Sequence, residues 1–154
     1  MTNWNKRFME LATFVSKWSK DKSTGTGAII CDDDKRIISI GYNGFPSGCN
    51  DEIESRHERP AKYQYTEHAE RNSIYNAARI GAKTKDATIY VMWFPCTDCA
   101  RAIIQSGIKK LVCKRPDFYD ERWGQSFIAA NEMLIECKIE IEFVEDEIKN
   151  DSPL

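Results

Sequence analysis

Two short motifs, HAE at residues 68–70 and PCTDC at residues 95–99, contain residue types that bind metal ions. Histidine and cysteine are common zinc ligands, and this chain has only two histidines. Cys96 and Cys99 are three positions apart, so at the start of a helix their thiols share one face and reach the same ion. A helix start also favours negative charge, which helps to keep thiols ionised.

His68 supplies a third ligand if the two motifs meet in space. Three protein ligands leave one position of a tetrahedral zinc ion for water, as in catalytic sites, whereas a fourth side chain closes a structural site. Glu70 is then placed to hydrogen-bond that water and to carry its proton. A lone C-x-x-C motif is weak and a structural zinc site is an alternative, but H-x-E together with P-C-x-x-C is the signature of zinc-dependent nucleobase deaminases.

The hydrophobic pattern predicts the elements that position these motifs. Apolar residues from Phe8 to Trp18, at three- and four-residue spacing, predict an amphipathic helix over about residues 5–20. Two apolar runs around the Asp-Asp-Asp-Lys stretch at 32–35 predict a β-hairpin, and residues 43–65 are predicted to form a long loop. The remaining predicted helices are 67–80, 97–106 and 125–137, and the remaining strands are 87–94, 108–113 and 138–144.

The order of these elements predicts an α/β fold. A mixed sheet of five strands is expected to form the middle layer of a three-layer α/β/α sandwich. A chain of 154 residues has the usual size of one domain, so residues 1–154 are expected to form a single domain. The acidic tail at 144–154 is expected to be loosely held.

Charge and composition narrow the class of partner. The net charge is −2, whereas a protein that grips long nucleic acid through its phosphates carries a positive excess, so tRNA and duplex DNA are disfavoured. Polar residues interrupt every apolar run of the N-terminal segment, so neither a signal peptide nor a membrane span is expected. The expected location is cytoplasmic, with the six cysteines present as thiols or metal ligands.

Four stretches carry a resemblance to a known family: SKDKSTGTGAII, GYNGFPSGCND, KYQYTEHAERN and PCTDCARAIIQSGIKKLV. Over about residues 8–143 the chain resembles the zinc-dependent cytidine and deoxycytidylate deaminase superfamily, and within it the deoxycytidylate deaminases. The resemblance implies a cytidine deaminase-like fold, one catalytic zinc ion at His68, Cys96 and Cys99, and Glu70 as the proton shuttle. It also implies hydrolytic deamination of deoxycytidylate (dCMP) to dUMP through a zinc-bound water.

The same resemblance implies a homo-oligomer, either a hexamer or a dimer, and regulation by dCTP and dTTP. Some relatives hold a second zinc ion, for which Cys31, Cys49 and His57 are the candidates here. That interpretation is disfavoured, because Cys49 fits an ordinary motif of the family and Cys31 is expected to be a buried strand residue.

The substrate is expected to be a small nucleotide, and a few residues are predicted to contact it. The resemblance suggests that Asn43 contacts the sugar, although GYNG also fits a tight turn. A 5′-phosphate needs cations, for which Arg59, Lys114 and Arg122 are further candidates. Trp93 and Phe94 fit either a wall for the base or a strand interior, and Trp123 and Phe127 fit the core equally well. The predicted substrate-binding residues are Asn43, Lys62, Tyr63, Ala69, Arg115 and Tyr119.

Three alternatives to dCMP deamination are open. The substrate could be a 5-substituted dCMP, or it could be a tRNA adenosine or a purine base, or the protein could be a non-catalytic, zinc-stabilised relative. The acidic balance and the GYNGFP and KYQY stretches argue against tRNA or purine substrates. The intact Glu70 argues against a non-catalytic protein.

Overall fold

The computed structural model describes residues 3–145, so the predicted loose tail lies outside the described residues from position 146 onward. A 3-10 turn at Glu54–Arg56 interrupts the predicted long loop at residues 43–65. The helices are α1 (Trp4–Ser16), α2 (Lys62–Tyr65), α3 (Ala69–Arg79), α4 (Thr97–Gln105) and α5 (Gly124–Glu136). The strands are β1 (Gly27–Cys31), β2 (Ile37–Tyr42), β3 (Thr88–Val91), β4 (Lys110–Lys114) and β5 (Glu140–Val144).

The five strands form one mixed sheet in the order β2-β1-β3-β4-β5. β1 pairs antiparallel with both β2 and β3, whereas β3, β4 and β5 run parallel to one another. The predicted hairpin is present, and its turn closes through the Asp32 and Arg36 backbones with Lys35 in the left-handed region at φ 65°. β5 lies at the edge of the sheet, as its alternating pattern predicts.

Helices cover both faces of the sheet. On one face, α1 packs Phe8 and Val15 against Ile29 and Tyr90. The other face, which includes Ile30, packs against α3, α4 and α5. Adjacent strand residues point to opposite faces, so Ile29 and Ile30 serve different layers and every residue of β1 is buried. The predicted three-layer α/β/α sandwich is confirmed, and none of its helices is long and apolar enough to cross a membrane within residues 3–145.

Two elements are shorter than their hydrophobic patterns predict. α1 ends at Ser16, after which the backbones of Trp18 and Ser19 bond to carbonyls three residues back in tight turns, and Trp18 is 49% exposed. β3 ends at Val91, whose partner Ala28 is one residue from the start of β1. The apolar run beyond Val91 leaves the sheet and becomes the approach to Pro95.

One end of the sheet gathers the segments that carry the chemistry. β1 begins where β2 and β3 end, because it is antiparallel to both, and β4 ends at the same side because it is parallel to β3. The loops at 24–26, 43–44, 95–99 and 115–123 therefore meet at this end, opposite the hairpin turn at 32–36. An antiparallel bridge between Gly44 and Glu67 brings the start of α3 to the same place.

Candidate active site

The ligand atoms of His68, Cys96 and Cys99 converge on one point. His68 Nδ1 lies 3.5 Å from each of the two Sγ atoms, and all three atoms are within 4.8 Å of one another. Ordinary zinc–sulfur and zinc–nitrogen bonds at tetrahedral angles place such atoms about 3.6 Å apart. The three side chains therefore fit a single tetrahedral zinc ion, and these sequence-predicted ligands do come together.

Two helix starts provide this convergence. His68 is the N-cap of α3 and Cys96 is the N-cap of α4, both with extended backbone, and Cys99 lies in the first turn of α4. Gly41 of β2 lets α3 approach the sheet, since a Cβ atom there would lie 2.5 Å from the Ala69 carbonyl oxygen. The helix that carries His68 is thus seated directly on the sheet.

The thiol pair is polarised toward binding a cation. The hydrogen bond from Cys99, followed by that from His68, lowers the pKa of Cys96 to about 4 although burial opposes the shift. The same hydrogen bond to Cys96, together with burial, raises the pKa of Cys99. The hydrogen bond to Cys96 also raises the pKa of His68. These shifts favour a thiolate at Cys96, and a zinc ion bound here would hold both sulfur atoms as thiolates.

Glu70 lies in the first turn of α3, two residues after His68, and only 5% of its surface is exposed. Burial raises the pKa of its carboxyl group, and the nearby His68 charge offsets only part of that rise. A buried carboxyl group with a raised pKa is suited to taking up and returning protons. The position and environment of Glu70 thus suit the proton shuttle that its place in the motif predicts.

A network of charged side chains, which the sequence patterns did not single out, braces the two helix starts. Glu67 accepts a hydrogen bond from the His68 backbone at 3.1 Å and forms an ion pair with Arg71. Arg71 also pairs with Asp98, between the two cysteines, at 3.3 Å. The spacing of Glu67 and Arg71 by four residues was the available signal for their pairing, whereas the link to Asp98 depends on the packing of α3 against α4.

Both polar atoms of the Asn43 side-chain amide are hydrogen-bonded within the protein. Its Oδ1 atom accepts from the Thr26 backbone at 2.7 Å, and its Nδ2 atom donates to the Thr24 carbonyl at 2.9 Å. Its own carbonyl accepts from the Ser19 hydroxyl. Asn43 thus ties the loop before β1 to the end of β2, and its contact with a sugar stays a prediction.

Lys62 is buried, and its ammonium group forms an ion pair within the protein. Its Nζ atom lies 2.9 Å from Asp21 Oδ2 and also donates to the Ser23 hydroxyl. Burial acts to raise the pKa of Asp21, but hydrogen bonds from Lys62 and from the Ser23 and Thr24 backbones outweigh it and lower that pKa. The structure thus gives Lys62 a structural partner, and a substrate contact for it stays a prediction.

The other predicted substrate residues differ widely in their surroundings. Ala69, between His68 and Glu70 in the chain, is fully buried. Tyr63 is half exposed beneath the guanidinium of Arg122, whereas Tyr119 is 94% exposed. Arg115 stacks on Phe143 of β5, with its guanidinium carbon 4.5 Å from the ring centroid. Two of these four residues are connected to the metal cluster. Ala69 directly follows His68 in the chain, and Tyr63 is linked to His68 through Arg122 and Trp123.

The aromatic residues divide between the core and the site. Phe94 is buried and packs against Phe127 in the core, while Trp93 is half exposed beneath Lys114. Trp123 lies edge-on to His68, with ring centroids 6.4 Å apart. Its place beside His68 could not be read from the sequence, because it depends on how the start of α5 comes near the start of α3 in the folded chain.

The residues considered for a second zinc ion are dispersed. Cys31 is fully buried in β1 near the hairpin turn, at the far end of the sheet. The Nε2 atom of His57 lies 2.6 Å from the Asp51 carbonyl oxygen, and Cys49 is exposed. Among the residues that the structure describes, three potential metal-ligand atoms come together at His68, Cys96 and Cys99, and not at Cys31, Cys49 and His57.

Comparison with known proteins gives a consistent result. A family model for the "Cytidine and deoxycytidylate deaminase zinc-binding region" matches residues 2–115. An Aliivibrio fischeri protein named "Uncharacterized deaminase in luxG 3'region" is 39% identical over 142 residues, which cover 92% of this chain and 93% of that protein. The deoxycytidylate deaminase of Mus musculus is 38% identical over 122 residues, which cover 76% of this chain and 67% of the mouse protein.

A solved structure resembles the whole fold. The dCMP deaminase of cyanophage S-TIM5, in complex with dCMP and dUMP, aligns with a TM-score of 0.73 and 25% identity. The alignment covers 94% of this chain and 99% of the phage protein. The family model includes all three residues of the converging cluster and Glu70. The chain therefore belongs to the family that is defined by the cytidine and deoxycytidylate deaminase zinc-binding region.

Proposed function

We propose that this protein is a zinc-dependent deoxycytidylate deaminase, which converts dCMP and water to dUMP and ammonia. The observation that carries the proposal is the convergence of His68, Cys96 and Cys99 beside the buried Glu70 in a chain of this family. The deoxycytidylate deaminases among its relatives and the dCMP-bound structural neighbour support dCMP as the substrate.

The side chains divide the reaction between them. His68, Cys96 and Cys99 would hold one zinc ion, which when bound supplies a Lewis acid that activates water. Glu70 takes a proton from the attacking water and returns it to the pyrimidine, so that C4 gains an oxygen and ammonia leaves. Because Glu70 is buried, its carboxyl group exchanges protons with the reacting atoms rather than with bulk solvent.

The finer features belong to the same proposal. We infer a homo-oligomer, hexamer or dimer, whose activity responds to dCTP and dTTP, and a cytoplasmic location in which the metal-binding thiols stay reduced. Trp18 and Tyr42 form an edge-to-face pair of partly exposed aromatic rings. Burial of this apolar surface against a second copy of the chain would be favourable, which supports an oligomer. Gel filtration with light scattering, with and without dCTP, measures both the assembly and its response.

The decisive experiment compares substrates on the zinc-loaded protein. Loss of absorbance on deamination is followed for dCMP, 5-methyl-dCMP, dCTP, deoxycytidine and CMP, with dCTP and dTTP as additives. Preferential turnover of dCMP is expected. Preferential turnover of 5-methyl-dCMP would move the function to a modified nucleotide, and inactivity on all five substrates with zinc bound would refute the proposal.

A further inference from the structure

The Arg122 guanidinium lies close to two aromatic rings, one of which is in contact with His68. Its guanidinium carbon is 5.3 Å from the ring centroid of Tyr63 and 5.3 Å from that of Trp123. Trp123 in turn contacts His68 edge-on, and Tyr63 belongs to α2, which leads directly into the HAE motif. A chain of contacts therefore connects this cation to the first metal ligand.

The backbone around Arg122 is held in place. Asp120 Oδ1 accepts from the Arg122 backbone at 2.9 Å and from the Trp123 backbone at 2.7 Å. Gly124 packs so closely that a Cβ atom there would lie 2.5 Å from the Phe118 carbonyl oxygen. The Ser126 hydroxyl, in the first turn of α5, accepts from the Thr97 backbone beside Cys96 at 3.0 Å. These bonds fix the start of α5 against the start of α4, so Arg122 is presented from a rigid support.

The charge of Arg122 is not neutralised by the protein. Within residues 3–145, no carboxylate forms an ion pair with its guanidinium. Lys62, by contrast, is paired with Asp21, and Arg115 stacks on Phe143 at the β5 edge. Arg59 is exposed and has no described contact with a residue of the metal cluster. Among the candidate cations, Arg122 is thus the one that is joined to His68 through Trp123.

We propose that Arg122 binds the 5′-phosphate of the substrate and thereby makes the enzyme select nucleotides over nucleosides. The inference rests on the proposed function and deepens it. A guanidinium stacked on aromatic faces keeps its N–H groups in its own plane, where they can donate two parallel hydrogen bonds to phosphate oxygens. Trp123 supports this cation on one side and borders the metal cluster on the other, so it sets the distance between the phosphate and the reacting ring.

The test compares substrates with and without a phosphate. Arg122→Gln is expected to raise the KM for dCMP by about 10- to 100-fold, with kcat within about threefold, because a charge-assisted pair of hydrogen bonds is lost. The kcat/KM for deoxycytidine should not change. Arg122→Lys should give an intermediate KM, since it keeps the charge and loses the planar fork.

The matched control is Arg7→Gln. The Arg7 guanidinium lies 5.2 Å from the ring centroid of Trp4 in the same kind of contact, but α1 covers the opposite face of the sheet. This variant is expected to retain the wild-type KM for dCMP. An equal loss of kcat/KM on dCMP and on deoxycytidine in Arg122→Gln would overturn the proposal, and so would a dCMP-specific rise in KM in Arg59→Gln alone.

Binding measured without turnover separates this inference from the proposed function. Calorimetric titration of zinc-loaded protein with dUMP is expected to show binding that Arg122→Gln weakens by about 10- to 100-fold. If the wild type deaminates no cytosine nucleotide but shows this difference, the phosphate site stands while the proposed reaction falls. Equal binding of dUMP to both proteins, or no binding to either, overturns the phosphate site.

Discussion

At the scale of single residues, the site concentrates its chemistry in groups whose protonation depends on one another. Glu70 has its pKa raised by burial, and Cys96 has its pKa lowered by hydrogen bonds from its neighbours. Oppositely directed shifts between adjacent groups are typical of sites that bind a cation and move protons. His68, Glu70, Cys96 and Cys99 lie in two short motifs, and single substitutions can test their roles separately.

Replacing Glu70 by glutamine removes the proposed proton carrier and keeps the shape of the side chain. We expect kcat for dCMP to fall by about 100- to 10,000-fold, the usual contribution of general acid–base catalysis. Zinc content, measured by atomic absorption, should match the wild type because Glu70 is not a ligand. A near-wild-type rate in Glu70→Gln would show that another group carries the proton.

Replacing Cys96 by serine removes one of the three proposed metal ligands. We expect purified Cys96→Ser to contain less than about a tenth of the wild-type zinc, because a hydroxyl is a far weaker zinc ligand than a thiolate. Cys137→Ser is the control, since Cys137 is exposed at the end of α5. Full zinc occupancy in Cys96→Ser, measured in the same way, would contradict the ligand assignment.

At the scale of secondary-structure elements, ion pairs connect the segments around the site, including the starts of α3 and α4. Arg71 connects Glu67 before α3 to Asp98 in α4, and Lys62 of α2 holds Asp21 in the loop before β1. Both links join elements that are far apart in the sequence. They fix the end of the sheet at which the site lies.

Replacing Arg71 by glutamine should loosen the contact between α3 and α4. We expect a loss of about 1–3 kcal/mol in the free energy of unfolding, because the partly buried Glu67 carboxylate loses its partner. Urea denaturation measures the change. Arg101→Gln is the control, since its ion pair with Asp98 is exposed and should contribute less than about 1 kcal/mol. Equal losses in the two variants would argue against a brace between the helices.

The ion pair between Asp21 and Lys62 should make stability depend on acid pH. The pKa of Asp21 is lower in the folded protein than its ordinary value of 3.8, so the unfolded chain binds the proton more tightly. The stabilisation is therefore present above the ordinary pKa and is lost as the pH falls through the lower, folded value. Asp21→Asn should be less stable than wild type at neutral pH, and the difference should shrink below about pH 4.

Urea denaturation at several pH values between 7 and 3 measures this convergence. Asp33→Asn, at an exposed ion pair with Lys109, is the control and should follow the wild-type profile. The zinc ligands are the same in all three proteins, so the differences between profiles isolate the substituted residue. A constant difference between Asp21→Asn and wild type at every pH would contradict the assigned role of the Asp21 charge.

At the scale of the whole molecule, the sequence predicts the layers and the metal cluster because both follow from local patterns. The C-x-x-C spacing, the helix start at His68 and the buried strands β1 and β3 each show within a short window of residues. The partners of Lys62 and the position of Trp123 depend on loops that meet only after the sheet has formed. The apolar run at 87–94 likewise could not show that its last residues leave the sheet, since a continuous apolar run has no periodicity that marks the end of a strand. That residues 1–154 form a single domain stays a prediction.

The hairpin turn at 32–36 has a practical consequence. It lies at the end of the sheet opposite the metal cluster, and its Asp33 and Asp34 are exposed. Its backbone hydrogen bonds lie within the turn, and its contact outside the turn is the exposed ion pair of Asp33 with Lys109. Exposed turns of this kind tolerate inserted sequence better than buried or hydrogen-bonded backbone does. A fluorescent reporter or affinity tag spliced between Asp33 and Asp34 would leave the catalytic end of the sheet accessible to substrate.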